Sequence, residues 1–404
     1  MKKHVLSLFE AYGIELEYML VDAGTLNVTP IADRLLQAEA HALVSDVKRS
    51  DITWSNELAL HVIELKTTEP TPHLETIHTS FHQNIQHIHQ LLLPMGARLL
   101  PTAMHPWMNP LFETHLWPHD NHTVYETFNT LFHCQGHGWS NLQSMHINLP
   151  FSNDDDFGRL HAAIRLVLPL LPALAASSPI CEKKTTPHLD HRLHVYQHNC
   201  ASFPSLTGKV IPEAVFSQTA YTHEILNPIE QALAPYDTHQ VLESLWCNAR
   251  GAIARFDRNS IEIRVIDTQE SPYADLAIAQ YTVQLLQAMC QERFIPYRTQ
   301  QQFSTQALAN LFQSTVTHAH NTWIENNDFL RAWGWNDGPC TARTLLHFLY
   351  CNTTHKPLPP IEHILQHGCL AQRILHNLQH HSLFNTYQQL AHCLEHNTLF
   401  TPSP

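Results

Sequence analysis

In the stretch Tyr12-Gly13-Ile14-Glu15-Leu16-Glu17-Tyr18-Met19-Leu20-Val21, two carboxylates stand two residues apart inside an apolar run. Side chains alternate between the faces of a β-strand, so Glu15 and Glu17 share a face. Two uncompensated like charges on a largely buried strand would cost on the order of several kcal/mol. A positive partner is therefore required, either a divalent cation or an arginine. The same insertion recurs along the chain. Glu64 lies within Val62-Ile63-Glu64-Leu65-Lys66, seven residues after Glu57. His146 lies within Met145-His146-Ile147-Asn148-Leu149 and shares its face with Ser144 and Asn148; Glu262 and Arg264 share a face of Ile261-Glu262-Ile263-Arg264-Val265-Ile266-Asp267. Any one of these has an ordinary ion-pair explanation. Together they describe one polar face of a sheet bearing carboxylates, a histidine and arginine. Such a face suits hard cations, which take oxygen ligands and bridge to phosphate oxygens. Glu57 and Glu64 are an odd number of residues apart, so one unbroken strand would put them on opposite sides. We therefore place Glu57 on the preceding loop, with Trp54-Ser55-Asn56 read as a turn.

Other phosphate-binding devices are missing from the sequence. It contains no G-x-x-x-x-G-K-[ST] and no G-x-G-x-x-G, Gly208-Lys209 lacks the upstream glycine, and the whole chain has 11 glycines. If ATP binds, metals and arginines must hold its phosphates. The 33 histidines are spread evenly among Gln and Asn, as at His78, His82, His87 and His89. This reads as a surface preference for His and Gln over Lys and Glu rather than metal storage, with His146 and His105 as the exceptions. The nine cysteines contain no C-x-x-C pair, which points to a reducing cytoplasm. Cys134 and Cys181 lie near interesting segments, but no paired base is recognisable and both read as small buried hydrophobes.

The elements that must position these groups follow from periodicity. A strand is expected at about 12–22, then a helix opening near Pro30 with Ile31, Leu35, Leu36 and Ala40 on one face. A second strand region covers 57–66. Thr71 and Pro72 start a long helix in which Leu74, Ile77, Phe81, Ile85, Ile88 and Leu92 recur at helical spacing, ended by Gly96. Strands follow at 97–102 and 141–150, separated by a turn-rich patch and a helix at 125–132. Asp154, Asp155 and Asp156 open the next helix, which Pro169 and Pro172 kink or divide. A loop covers 181–212, a helix 216–233, and the clearest hairpin 250–268, around Asp257-Arg258-Asn259. A helix at 274–290 follows, and everything beyond Phe303 reads as helical. The pattern indicates an α+β fold built on an antiparallel sheet with flanking helices. We divide it into a catalytic domain, 1–300, and a helical C-terminal extension, 301–404.

Composition narrows the function class. The chain has 404 residues, 44% of them apolar and 15% charged, and a formal net charge of −13. It is a globular protein with an ample core. The negative balance argues against sequence-independent binding to nucleic acid or to an anionic membrane. The longest apolar stretch, Leu166 to Ala176, is too short to span a bilayer, and the acidic residues after Lys2 and Lys3 argue against a signal peptide.

The motifs resemble the type 2 glutamate–cysteine ligase (carboxylate–amine ligase) family, whose fold is similar to the catalytic half of glutamine synthetase. The matching segments are Gly13-Ile14-Glu15-Leu16-Glu17, Glu57-Leu58 with Val62-Ile63-Glu64 and Thr67, His105-Pro106-Trp107, Ser144-Met145-His146, Leu174 to Pro179, and Ile261 to Gln269. They occur in the family's order over about residues 10–290. The resemblance implies that ATP phosphorylates a carboxylate and an amine displaces the phosphate, with small-molecule substrates and no nucleic-acid or membrane partner. Self-association into a homo-oligomer stays open. It further implies that Glu15, Glu17, Glu57, Glu64, Glu262 and His146 ligate Mg²⁺ or Mn²⁺ ions bridging the ATP phosphates, and that His146 and Arg264 contact phosphate. Arg264, Glu262 and Arg192 would be catalytic, Arg192 as the loop arginine that reaches substrate. The chain departs from the family where a glycine usually follows the Ser-Ser-Pro segment, having Glu182-Lys183-Lys184, and where the usual His-Val-His becomes Ser144-Met145-His146. These changes bear on substrate identity more than on reaction type. Two other readings remain at this stage, a guanidino-kinase-like phosphotransferase and a non-catalytic metal- or nucleotide-binding relative.

Overall fold

The computed structural model describes residues 5–237, 241–354 and 356–402. Lys2 and Lys3, used above for the leader argument, lie outside the described residues. The centre of the molecule is an eight-stranded sheet. Its strands are β1 (Gly13–Asp22), β2 (Asp46–Arg49), β3 (Ile52–Asn56), β4 (Val62–Thr67), β5 (Ala97–Leu100), β6 (Ser144–Pro150), β7 (Ala252–Arg255) and β8 (Ser260–Asp267). The order is β2-β3-β4-β1-β6-β8-β7, all antiparallel, with β5 pairing the second half of β1 beside β6. The fold class is therefore α+β, with a mainly antiparallel sheet and flanking helices.

Alternation in the strands decides which face is dry. Ile14, Leu16, Tyr18 and Leu20 of β1, Ile63 and Leu65 of β4, and Met145, Ile147 and Leu149 of β6 fall in one apolar cluster. Three helices complete that cluster, α1 (Leu74–Leu92), α2 (Asp154–Val167) and α4 (Pro272–Cys290), while the short helix α3 (His191–Tyr196) lies between the last two in the chain. All six residues named for the periodicity of α1 are buried. The left-handed conformation at Gly96, φ 67°, turns the chain into β5. The first turn of α2 carries the three aspartates, while Asn153 caps it by accepting from the Asp156 amide. Pro169 falls in a 3₁₀ turn, after which the helix resumes at Leu171. The continuous stretch Asp154–Ala175 is long and apolar enough to cross a membrane, and 94% of its most apolar window is buried inside the protein. A core helix passes the same test.

The other face changes character along β1. Glu15 and Glu17 leave it polar, but Met19 and Val21, next on the same side, are apolar. They pack with Leu100 against Leu370 and Ile374 of α6 (Leu370–Asn377) and Tyr387 and Leu390 of α7 (Leu383–His396). The C-terminal helices thus close one end of the polar face. The main core also continues across residue 300, through Leu308, Phe312 and Val316 of α5 (Thr305–His318) to Leu346 and Ile361.

Some expectations need correction. Trp54-Ser55-Asn56 is not a turn but the end of β3, because Ile52 and Trp54 alternate into the core while Thr53 and Ser55 face the carboxylates. The expected strand at 57–66 is thereby split, with the bend at 57–61 between β3 and β4. Strand β2 was not anticipated. The region after Phe303 contains one short strand pair, Trp323–Ile324 with Cys340–Thr341. The segment 181–212 carries α3, so Arg192 sits on a helix and not on a loop.

Candidate active site

The registers assemble the predicted polar residues into two rows. Glu17 lies directly opposite Glu64 on β4. Glu15 lies opposite Lys66 on one side and His146 on the other. Gly13 faces Asn148, and a Cβ there would come within 3.0 Å of the Asn148 Cβ. The missing side chain leaves room for the Asn148 amide to donate to Glu15 Oε1 at 3.0 Å. On β8, the four residues from Ile263 to Ile266 run opposite the three from Met145 to Ile147 on β6, a β-bulge. Arg264 stands in that bulge, its Nε 2.8 Å from Glu262 Oε1. Glu57 lies on the bend just before β4, as expected, and reaches the same face.

Each carboxylate has a different environment. Glu15 Oε2 is 2.9 Å from His146 Nδ1, whose other nitrogen is 2.8 Å from the Ser144 hydroxyl. Burial works to raise the Glu15 pKa, but the His146 hydrogen bond and the charges of His146, Lys66 and Arg264 win and hold it at about 2. On His146 burial works the other way, but the Glu15 hydrogen bond and the charges of Glu17, Glu15 and Glu262 outweigh it and raise the pKa to about 9. Glu17 Oε2 accepts from the Ser144 amide at 2.7 Å and its hydroxyl at 3.2 Å. Glu64 pairs with Lys66 at 2.7 Å, yet burial and the Glu15 charge push it up to about 7. Burial and the charges of Glu17 and Glu64 drive Glu57 well above the usual carboxylate range. The face therefore holds more negative charge than its own cations neutralise. Its donors are carboxylate oxygens and one imidazole. Ligand atoms of Glu15, His146 and Glu262 all lie within 4.8 Å of one another. This donor set fits a hard divalent cation.

Two cavities flank the cluster. The first, about 490 Å³, is bordered by Glu17, Glu57, Ser144, His146, Arg192 and Arg264, and beyond them by aromatic walls. The second, about 440 Å³, is bordered by Glu15, Lys66, Asn148, Arg258, Ser260 and Thr67. Arg192 is buried beside the first cavity. Its Nε donates to Asp267, and both terminal nitrogens reach the Arg264 carbonyl, at 3.3 and 3.4 Å. Asp267 also accepts from the Ser177 amide and the Ser178 hydroxyl. That network explains why the Ser-Ser-Pro segment and the end of β8 occur together.

The sequence reading gave no role to Lys66, Asn148 or Arg255, whose Nη1 lies 3.6 Å from Glu262. The i, i+2 spacing of Glu64 and Lys66 was the available signal. His105 proves structural. Its Nε2 bonds the Leu26 carbonyl, and its Nδ1 accepts from the Trp107 and Met108 amides. Cys181 does have a neighbouring histidine, with Sγ 3.5 Å from His137 Nε2. The Asn141 amide nitrogen lies 3.0 Å from His137 Nδ1 while its oxygen accepts from the His105 amide. Nδ1 is thus the acceptor and Nε2 carries the proton, the wrong tautomer for a base, and burial pushes the thiol up to about 11.

Residues 11–389 match the sequence profile of glutamate–cysteine ligase family 2. The chain belongs to this family. It is accordingly an ATP-dependent carboxylate–amine ligase by class. An uncharacterized protein of Archaeoglobus fulgidus is 34% identical over 280 residues, covering 69% of this chain and 75% of that one. The fold is also that of two solved proteins. A bifunctional glutathione synthetase from Pasteurella multocida aligns with TM-score 0.59 and 15% identity, over 96% of this chain and 52% of its own. The chain thus spans about half the length of that enzyme. A glutamate–cysteine ligase from Francisella tularensis, solved in complex with AMP, aligns with TM-score 0.56 and 12% identity, over 98% and 89%. Within glutamate–cysteine ligase family 2, the motifs that carry Glu15, Glu17, Glu64, His146 and Glu262 converge here on one sheet face.

Proposed function

We propose that this ligase activates a carboxylate, with glutamate's γ-carboxyl as the first acid to test, and joins it to an amine, with cysteine as the first acceptor to test. The observation that carries the reading is the over-acidic face of Glu15, Glu17, Glu57, Glu64 and Glu262, completed by His146 and Arg264 between two cavities. A carboxylate oxygen attacks the γ-phosphorus as the bridging P–O bond to ADP breaks. The neutral amine then attacks the acyl carbon, and the C–O bond to phosphate breaks with release of phosphate and a proton. Such transfers depend on positioning and charge neutralisation. Mg²⁺ or Mn²⁺, held by Glu15, Glu17, Glu57, Glu64, Glu262 and His146, would neutralise the phosphate oxygens.

The chain's own residues supply the rest. Lys66 and Arg258, with the hydroxyls of Thr67 and Ser260, give the second cavity the chemistry for a nucleotide. Arg264 faces the transferring phosphoryl group or the acid, and its pairing with Glu262 fixes its position. Arg192, tied to Asp267, holds the Arg264 backbone from below. The test is phosphate release from ATP and Mg²⁺ with pairs of acids and amines, and mass analysis of the product. ADP and phosphate should appear only when acid and amine are both present. A stable phosphorylated product from one substrate would instead make the protein a phosphotransferase, and no ATP turnover would make it a binding relative.

A further inference from the structure

The first cavity has a charged floor and an aromatic upper wall. Above its floor stand Tyr125, Phe128, Phe132, Trp139, Tyr196 and Trp246. Three of these rings pack on one another. Phe132 stacks on Trp139 with centroids 5.3 Å apart, Phe128 meets Trp139 edge-on at 5.8 Å, and Phe128 meets Phe132 at 5.5 Å. The charged groups bordering the cavity all belong to the floor: Glu17, Glu57, His146, Arg192 and Arg264. Arg192 is tied to Asp267, while Arg264 lies beside Glu262 with its side chain part-exposed at the floor. Two amides of the wall are occupied. Asn248 donates to the Tyr221 hydroxyl and Asn199 to the Gly138 carbonyl.

A zwitterion set against the upper wall would bring an α-ammonium and an α-carboxylate to a surface with no charged side chain among the described lining residues, the charged groups all lying at the floor. Leaving water without such partners is unfavourable. A neutral amine with an apolar body loses little, because the aromatic wall takes up its surface. A cavity of about 490 Å³ accommodates a ring-sized body as well as the reacting groups at the floor.

We propose that the acceptor of this ligase is an amine with an aromatic or branched apolar body and no α-carboxylate, bound in the first cavity against Phe128, Phe132 and Trp139. The proposal rests on the ligase reading and on a nucleotide in the second cavity. The experiment compares 2-phenylethylamine, tyramine and isoamylamine with cysteine and alanine, using full-length protein, ATP, Mg²⁺ and glutamate. The apolar amines should give kcat/KM on the order of 10²-fold above cysteine, in line with what filling an apolar pocket contributes. Phe128→Ala should raise the KM for 2-phenylethylamine roughly 10-fold, leave the KM for ATP unchanged, and be largely rescued by Phe128→Leu. Preference for cysteine overturns the proposal and leaves the ligase reading standing. A rise in the ATP KM in Phe128→Ala overturns it by assigning the cavity to the nucleotide. Calorimetric titration of 2-phenylethylamine into the protein loaded with Mg²⁺ and ADP does not depend on the acid chosen. Binding that Phe128→Ala weakens supports the proposal even if glutamate is not turned over, which would sink only that choice of acid. No binding overturns the proposal.

Discussion

Glu15 and Glu17 are two residues apart on one strand, yet their neighbours give them different tasks. Glu15 is locked to His146 and Asn148 and keeps its charge to about pH 2. Glu17 is turned toward the Ser144 amide, beside the more weakly neutralised Glu64 and Glu57. Changing Glu15 to Gln keeps the shape and removes the charge. We expect Glu15→Gln to lower kcat on the order of 10²-fold or more in phosphate-release assays, with far-UV circular dichroism unchanged. The same change removes the main cause that raises His146. In metal-free protein, NMR titration should find His146 falling from about 9 toward the ordinary imidazole value. An unmoved titration would mean that Glu15 does not hold the histidine charged.

At the scale of elements, turns and bulges aim the site. The bulge in β8 re-aims Arg264, and the turn at Glu182-Lys183 joins the short strands Ile180–Cys181 and Lys184–Thr185. Both turn residues adopt left-handed backbone, φ 49° and 65°, which side chains with a Cβ adopt reluctantly. Lys183→Gly should therefore stabilise the protein by up to about 1 kcal/mol, read from the urea midpoint. No gain would mean that Lys183 contributes contacts that offset its backbone strain. The alternation of β1, β4, β6 and β8 was legible in the sequence because a half-buried strand must alternate. β3 was misread since the polar Ser55 and Asn56 resemble turn residues, and only the carboxylate row beside them shows why polar groups belong in that strand. Arg192 looked like a loop arginine for a related reason. Its helix is too short for periodicity to reveal, and Asp190 caps it by accepting from the Leu193 amide.

Besides the apolar contacts around Met19 and Val21, a buried ion pair ties the sheet to the C-terminal helices. Arg373 of α6 makes two bonds to Glu270, at 2.6 and 3.3 Å, and bonds the Phe400 carbonyl at 2.6 Å. Glu270 follows β8 closely, so the pair fastens the end of the sheet to the helices that cover Met19 and Val21. Arg373→Met would leave the buried Glu270 carboxylate without its counter-charge, only the Phe400 amide still donating to it, and unfolding by denaturant should show a loss of about 3–5 kcal/mol. Acid should weaken the fold as a whole. Burial lowers His61 and His105 to about 4 and His161 and His320 to about 3, from an ordinary 6.5. Below pH 6.5 the unfolded chain binds protons that the folded chain refuses. The part of the stability that these rings supply should be full above that pH and fall steadily toward pH 4, lowering the melting temperature. Glu64 and Glu57, raised by burial, act in the opposite sense. A flat profile would show that these rings are already protonated when folded.

The sequence by itself determined the chemistry: which carboxylates, histidine and arginine interrupt apolar strands, and hence the family and an acid-rich face for cations and phosphate. It could do so because strand alternation is local and a charge in an apolar run needs a partner wherever the strand lies. Tertiary structure alone decided which charges meet. Register set Glu17 against Glu64 and Glu15 against His146, a bulge returned Arg264 to Glu262, and helices about 350 residues further along the chain closed the end of the face. Those outcomes depend on pairings between distant segments, and no local pattern encodes them. The aromatic cavity is of the same kind, since its rings come from segments spread between Tyr125 and Trp246 and meet only in the fold.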